Sequence, residues 1–384
     1  MKSTPKKPNQ KTSLLEGPSF SASSSSSSAG FELLPQMALF ELENLRIHSL
    51  KAHSEVLKGN PLGDSHIRHH LVLEPAATRA QPRAAFEEDP LDGLPLVVVL
   101  SGYSSNGTKS FSWRSFEAND PQRLDQLVGQ GKAPRAIYVF VDAWTFWGGS
   151  QFINSPAVGR YEDHIVTELI PSLYKSFPNL SRDSRRCCVY GGSSGGYGAL
   201  HLASRYPEIF GMVAAQAPDS FFEVSLLPEL YSAWPHWLAL GGLEGIRREL
   251  EEGRLLKKRF AHSLLNAVAM GLCYAPTEDG RSFEWPFNPE TGALSSEVWQ
   301  RWKAHDPCEF LPQRREQVKK WQAAYLDVGT RDQFHLYFGA RQIRNELLGQ
   351  AVDLDYSEFA GDHFELGDRR PHLWQWLADR QKGL

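Results

Sequence analysis

The chain has 384 residues, a net charge of −4 and a hydrophobic content of 41%. This length suits one α/β domain with an insertion, and the Lys and Arg residues are spread out, which argues against a nucleic-acid or anionic-membrane partner. The four cysteines lack the spacing of metal ligands, so we expect buried free thiols.

The N-terminal region, residues 1–36, is rich in Ser, Lys and Pro. Such a segment cannot bury enough apolar surface to offset its ordering entropy, which predicts a disordered tail before a catalytic region at 37–384. Met37 opens the globular-looking sequence and is a candidate start residue. The tail lacks the apolar core of a secretory signal, and no stretch of the chain is apolar enough to span a bilayer, so we expect a cytoplasmic protein without membrane contact.

Strands and turns are predicted from residue 45 onwards, ending in an edge strand at 69–75 that Pro75 stops. His66, His69 and His70 lie in this region without an accompanying carboxylate or cysteine pattern. We interpret them as surface polar residues and predict no metal site.

Two continuous apolar runs, at residues 94–100 and 136–142, are typical of strands buried on both faces. The loop at 143–156 follows the second run and carries Trp144 and Trp147. It is long and aromatic enough to line a substrate pocket, although burial of these rings in the core is an equal alternative.

Residues 187–200 predict a strand, a very tight turn and a helix, with two overlapping G-x-S-x-G frames centred on Ser193 and Ser194. A nucleophile elbow needs small residues around its serine. The Ser193 frame places glycines at all the crowded positions, whereas the Ser194 frame places Tyr197 at one of them. Sterics therefore favour Ser193 as the nucleophile, with a turn of no catalytic meaning as the alternative.

Two backbone amides are candidates for an oxyanion hole. Ser194 would open the helix after the elbow, where amides are unpaired and the helix dipole is positive. Tyr103 follows Ser101-Gly102 at the end of the first buried strand. Enzymes with a nucleophile elbow place the second amide donor of the oxyanion hole at such a position. An ordinary glycine turn is the alternative for that second position.

The segment 221–303 is helical and amphipathic in pattern, and we interpret it as an inserted helical cap. Elsewhere strands alternate with helices, which predicts an α/β fold with a mostly parallel, doubly wound sheet, as in α/β-hydrolases. Ligands of such sheets bind at the carboxyl ends of the strands.

A serine nucleophile needs a histidine base and a carboxylate to orient that base. Asp332 follows a predicted strand at 323–328, and His363 follows another at 352–359. The order Ser193, Asp332, His363 is that of the α/β-hydrolases. Asp327 and Asp362 compete with Asp332 for the role of the acid.

Several stretches carry a family resemblance: YEDHI at 161–165, ELIP at 168–171, GGSSGGYGAL at 191–200, DVGTRDQF at 327–334 and GDH at 361–363. They resemble the "putative esterase" family, the esterase D group of α/β-hydrolases that includes S-formylglutathione hydrolases, enterochelin esterases, feruloyl-type carboxylesterases and mycolyltransferases. The resemblance implies Ser193, Asp332 and His363 as the triad. The chain departs from the family in having Ser101-Gly102 where His-Gly is usual and in its long cap.

We therefore expect a serine hydrolase that cleaves a small-molecule carboxylic ester without a cofactor. Trp144, Trp147 and Tyr197 are assigned to the substrate pocket. The alternatives are an acyltransferase with the same triad and a non-catalytic binding protein on a hydrolase fold. Exposed aromatic side chains on the cap would suit a homodimer interface.

Overall fold

A computed structural model of the chain describes residues 31–34, 40–76, 93–113 and 115–382. Its strands, in chain order, are β1 (Phe31–Leu34), β2 (Leu45–His53), β3 (Ile67–Pro75), β4 (Leu96–Leu100), β5 (Ile137–Phe140), β6 (Asn154–Ser155), β7 (Gly159–Arg160), β8 (Cys187–Gly192), β9 (Met212–Gln216), β10 (Ala323–Gly329) and β11 (Leu354–Phe359). All of them except β6 and β7, which form a two-stranded ribbon, belong to one sheet.

The strand order of this sheet is β1-β2-β3-β5-β4-β8-β9-β10-β11. In this spatial order, the three pairs β1-β2, β2-β3 and β3-β5 are antiparallel. The five remaining pairs, from β5-β4 to β10-β11, are parallel. The parallel strands end at one edge of the sheet, where ligands of open α/β sheets bind. This topology confirms the predicted α/β-hydrolase fold.

The helices are α1 (Asp120–Gly129), α2 (Tyr161–Asp163), α3 (Ile170–Ser176), α4 (Ser194–Arg205), α5 (Phe222–Ser225), α6 (Leu227–Leu240), α7 (Gly242–Glu251), α8 (Ala261–Tyr274), α9 (Ser296–Lys303), α10 (Pro307–Gln313), α11 (Arg315–Val318), α12 (Leu336–Gly349) and α13 (Leu366–Lys382). A π-helical segment, His164–Leu169, joins α2 to α3. Among the described residues, none of the helices has the length and apolar character needed to cross a bilayer.

The sheet separates two apolar layers, as the fully buried strand β4 illustrates. Val98 packs in the first layer and Val97 in the second, because successive side chains of a strand point to opposite faces. Helices α6, α8 and α9, which lie within the segment 221–303, contribute Leu230, Leu264 and Trp302 to the first layer. This segment therefore shares its core with the sheet.

The predicted tail, residues 1–36, extends too far at its C-terminal end. Phe31–Leu34 form β1, which pairs antiparallel with β2. This pairing satisfies backbone groups at the otherwise open edge of β2. The rest of the tail, apart from this strand, and Met37 lie outside the described residues.

The predicted edge strand is also corrected, because β3 lies inside the sheet between β2 and β5. Its His70 is 0% exposed and is therefore not a surface residue. The Nε2 atom of His70 lies 3.3 Å from Nε2 of His164, and its Nδ1 accepts the amide of Asp142. The strand β3 ends at Pro75, as the sequence predicts. A terminal proline does not indicate whether a strand has one neighbour in the sheet or two.

Candidate active site

The turn between β8 and α4 holds Ser193 in an unusual backbone conformation, with φ 57° and ψ −126°. The amide of Ser193 donates to the Gln216 carbonyl at 2.9 Å, and its carbonyl accepts the amide of Tyr197 at 2.9 Å. Such a conformation is costly for a residue with a side chain and is found at functional turns. It leaves Ser193 partly exposed at the carboxyl edge of the sheet, whereas Ser194 is only 2% exposed.

The glycines around this turn show which serine the elbow is built for. A β-carbon on Gly191 would lie 2.3 Å from the backbone of Gly195, and one on Gly195 would lie 2.4 Å from the Leu100 carbonyl oxygen. A β-carbon on Gly192 would meet its nearest neighbour at 3.7 Å, which is ordinary contact. The positions two residues before and after Ser193 are therefore closed to side chains, which supports the Ser193 frame.

These contacts predict a large difference between two neighbouring substitutions. Gly191→Ala should lower the free energy of unfolding by about 3 kcal/mol or more, because its methyl group would collide with backbone that cannot move aside. Gly192→Ala is the matched control and should cost less than about 1 kcal/mol. Urea unfolding followed by circular dichroism measures both. Equal losses in the two variants would contradict the packing described for the elbow.

The candidate oxyanion amides lie on either side of the elbow. A β-carbon on Gly102 would lie 3.4 Å from the Gly192 carbonyl oxygen and 3.6 Å from Cβ of Ser193, so the turn leading to Tyr103 passes close to Ser193. The Tyr103 hydroxyl donates to the Trp147 carbonyl at 2.9 Å, which anchors the turn. The Ser194 amide is the first of α4 and has no partner within the helix.

His363 and Asp332 lie together, as the sequence predicts. The Nδ1 atom of His363 is 2.6 Å from Oδ2 of Asp332. Asp332 is 2% exposed, and its other oxygen, Oδ1, accepts the Phe334 amide at 2.9 Å. The His363 amide donates to Oε1 of Gln333 at 3.0 Å, and the His363 ring packs edge-on against Phe334. Both the ring and its carboxylate partner are held from more than one side.

The two competing aspartates are occupied elsewhere. Asp327 accepts the Tyr325 hydroxyl at 2.8 Å and forms an ion pair with Arg369 at 3.5 Å. Asp362 caps the 3₁₀ helix His363–Glu365 by accepting the Phe364 amide at 2.8 Å. Of the three aspartates, Asp332 is therefore the one whose carboxylate contacts the His363 ring.

Ser193 and His363 line the same cavity, which has a volume of about 390 Å³. Apolar side chains such as Trp374 and charged ones such as Arg370 complete its walls. A cavity of this size accommodates a small organic molecule. A second, smaller cavity borders Ser194 and Tyr103.

The predicted pocket aromatics are divided by the structure. Trp144 is 41% exposed and lines the smaller cavity. Trp147 is 3% exposed and packs edge-on against Phe146, and Tyr197 is 0% exposed and stacks against His201. Trp147 and Tyr197 are absent from the walls of both cavities, because their rings are buried in the core. For Trp147, burial in the core is the alternative that the sequence left open.

Four residues near the elbow were not anticipated: Asp219, Gln151, Glu229 and His262. Asp219 accepts the Ser193 hydroxyl at 3.3 Å and the Ser194 hydroxyl at 2.7 Å. Its place, three residues after β9, is at the edge of the sheet where ligands bind, so a signal was present in the sequence. Nothing in the helical pattern of the cap marks Glu229 or His262.

The sheet, the elbow and the oriented histidine define a serine hydrolase of the α/β-hydrolase class. A family model described as "Putative esterase" matches residues 81–375, and the chain belongs to this family. It is a carboxylic ester hydrolase. A search of curated protein sequences finds no match.

Solved structures share the fold. The fluorophosphonate-binding serine hydrolase FphF of Staphylococcus aureus superimposes with a TM-score of 0.53 and 16% identity, covering 88% of this chain and 99% of its own. The S-formylglutathione hydrolase FrmB of the same organism gives 0.52 and 15%, with coverages of 88% and 100%. A ferulic acid esterase gives 0.51 and 16%, with coverages of 88% and 98%. At these identities the likeness establishes the fold and leaves the substrate undetermined.

Proposed function

We propose that the chain hydrolyses a small-molecule carboxylic ester through an acyl-enzyme on Ser193, with His363 as the base and Asp332 as its orienting acid. The observation that carries the proposal is the 2.6 Å contact between His363 and Asp332 at the cavity that Ser193 also lines. A carboxylate on Nδ1 leaves Nε2 unprotonated and facing away from it, which is the tautomer that a general base needs.

In the first half-reaction, Nε2 of His363 takes the Ser193 proton while Oγ bonds to the acyl carbon. Oγ donates to Asp219 at 3.3 Å in the structure, so the attack requires it to turn towards His363. The amides of Ser194 and Tyr103 hold the oxyanion. As the tetrahedral intermediate collapses, the bond to the alkoxy oxygen breaks and His363 gives the proton to the leaving alcohol.

In the second half-reaction, water replaces the alcohol. His363 takes a proton from water, the hydroxide oxygen bonds to the acyl carbon, and the carboxylic acid leaves as Ser193 recovers its proton. The segment 221–303 acts as a cap over this site. The cytoplasm is the location that we propose, and a homodimer remains a prediction.

Fluorophosphonate labelling tests the nucleophile directly. We expect stoichiometric labelling of the folded wild type at Ser193, which is abolished in Ser193→Ala and retained in Ser194→Ala, since only an activated serine reacts with this probe. Intact mass and peptide mapping give the stoichiometry and the site. Labelling at Ser194 would shift the elbow by one residue, and an unlabelled folded protein would favour the non-catalytic alternative.

A further inference from the structure

The carboxyl group of Asp219 touches the nucleophile but has only neutral donors around it. These are the hydroxyls of Ser193 and Ser194 and the side-chain amide of Gln151, whose Nε2 donates at 3.2 Å. Burial is the largest influence on Asp219 and raises its pKa, and the hydrogen bonds from the three neutral donors oppose this shift. Asp219 therefore forms no ion pair with any described Lys or Arg side chain.

A second carboxyl group, in the segment 221–303, lies within electrostatic range of Asp219. Glu229, on α6, accepts the side-chain amide of Asn266 from α8 at 2.5 Å. Burial, together with the charge of Asp219, raises the pKa of Glu229 to about 7. Its partner is again neutral, and neither Glu229 nor Asp219 forms an ion pair with a described Lys or Arg side chain.

Gln151 adds an acceptor that has no donor. The Nε2 atom of Gln151 donates to Asp219 at 3.2 Å and to the Tyr274 hydroxyl at 2.9 Å. The remaining polar atom of this amide, Oε1, is therefore a hydrogen-bond acceptor. Its Oε1 is buried and has no hydrogen-bond partner among the described residues, although the side chain is only 1% exposed. Gln151 and Gly149 both line the smaller cavity, and a β-carbon on Gly149 would lie 3.9 Å from Oε1.

Resting on the assignment of Ser193 as the nucleophile, we propose that this side of the site binds a protonated amine, and that the substrates are esters of α-amino acids. The Asp219 and Glu229 carboxylates and the Gln151 carbonyl are all acceptors, and an ammonium group supplies both the N–H donors and the positive charge that they lack. Partly buried carboxylates without a counter-ion carry a desolvation cost, and a cationic substrate compensates this cost.

The position of the ammonium group follows from the distance between Asp219 and the nucleophile. In the acyl-enzyme the acyl carbon is bonded to Oγ of Ser193, which lies 3.3 Å from Oδ1 of Asp219. An α-amino nitrogen is two bonds from that carbon and is therefore within hydrogen-bonding reach of Asp219.

Two esters that differ only in the amine test the proposal. We would compare the p-nitrophenyl esters of leucine and of 4-methylpentanoic acid at about pH 7, which is below the usual pKa of an α-amino group and near the pKa of Glu229. Each kcat/KM is divided by the rate constant of spontaneous hydrolysis, because the ammonium group also activates the ester. We expect the wild type to favour the leucine ester by about tenfold or more in this corrected kcat/KM, because charge-assisted hydrogen bonds to the ammonium group are stronger than neutral ones.

Asp219→Asn and Glu229→Gln keep the shape of each side chain and remove its charge. Each should lower the ratio of the two esters towards one. Glu244→Gln removes an exposed carboxyl group from the same cap, on α7, and should retain the wild-type ratio. Circular dichroism and thermal melting confirm that the variants are folded.

The outcomes separate this proposal from the one on which it rests. Fluorophosphonate labelling and cleavage of the 4-methylpentanoate ester without any preference for leucine would overturn the ammonium site alone. A preference that both Asp219→Asn and Glu229→Gln retain would overturn the assignment of these acids. Absence of labelling together with cleavage of neither ester would overturn the proposed function as well.

Discussion

Replacement of His363 by alanine should lower kcat for ester hydrolysis by about 10⁶-fold, close to the loss expected for removing the whole triad, because nucleophile and base act as one unit. Among the residues that the structure describes, no other histidine contacts both a buried carboxylate and the cavity that Ser193 lines. Asp219 contacts Oγ, but its carboxyl group is already shared with Ser194 and Gln151. Steady-state kinetics with a p-nitrophenyl ester give the loss, and the background rate without enzyme sets its lower limit.

His262 supplies the control for this prediction. Its ring belongs to α8, 5.8 Å from the Tyr103 ring, and is near enough to His363 for each charge to affect the other. His262→Ala should reduce kcat by less than about tenfold, because a histidine beside the site does not carry the proton. Added imidazole should restore part of the rate of His363→Ala. A larger loss in His262→Ala than in His363→Ala would assign the base to the cap.

The elbow was predictable because its constraints are local. Strand, turn and helix follow one another within residues 187–200, and the need for glycine at 191 and 195 comes from contacts that every such turn makes. Asp332 and His363 were predictable for a related reason. Parallel strands end at one edge of the sheet, so residues that follow β10 and β11 must come close to residues that follow β8.

The contacts across the cap could not be predicted in this way. Glu229 and His262 are polar residues on amphipathic helices, and such a pattern does not distinguish a side chain that faces the site from one that faces solvent. Tyr197 shows the same difficulty on α4, where its ring turns into the core beside His201. Deciding these positions requires knowing how α6, α8 and the sheet pack together.

The strand β1 was missed in the sequence for a different reason. Four residues next to a low-complexity serine tract carry too short a pattern to indicate a strand. Their order depends on β2, whose sequence does not show that its outer edge lacks a partner until the arrangement of the whole sheet is known.

Asp332→Asn should lower kcat by about 10⁴-fold while leaving KM within a few-fold of the wild type, because an amide in this place favours the wrong tautomer of His363. The Asp332 carboxylate accepts from the histidine at 2.6 Å and is buried, so water cannot replace it. The substitution conserves shape, and the amide oxygen can still accept the Phe334 amide, a contact of 2.9 Å in the structure. Steady-state kinetics with thermal melting separate lost catalysis from lost folding.

Asp362→Asn is the matched control, since it makes the same chemical change one residue from His363. Asparagine caps a helix as well as aspartate does, so this variant should keep kcat within about threefold. Combining Asp332→Asn with His363→Ala should cost no more than His363→Ala alone, because the carboxylate acts through the ring that has been removed. Additive losses in the double variant would mean that Asp332 supports the site by another route, through the loop that it caps at Phe334 and Leu336.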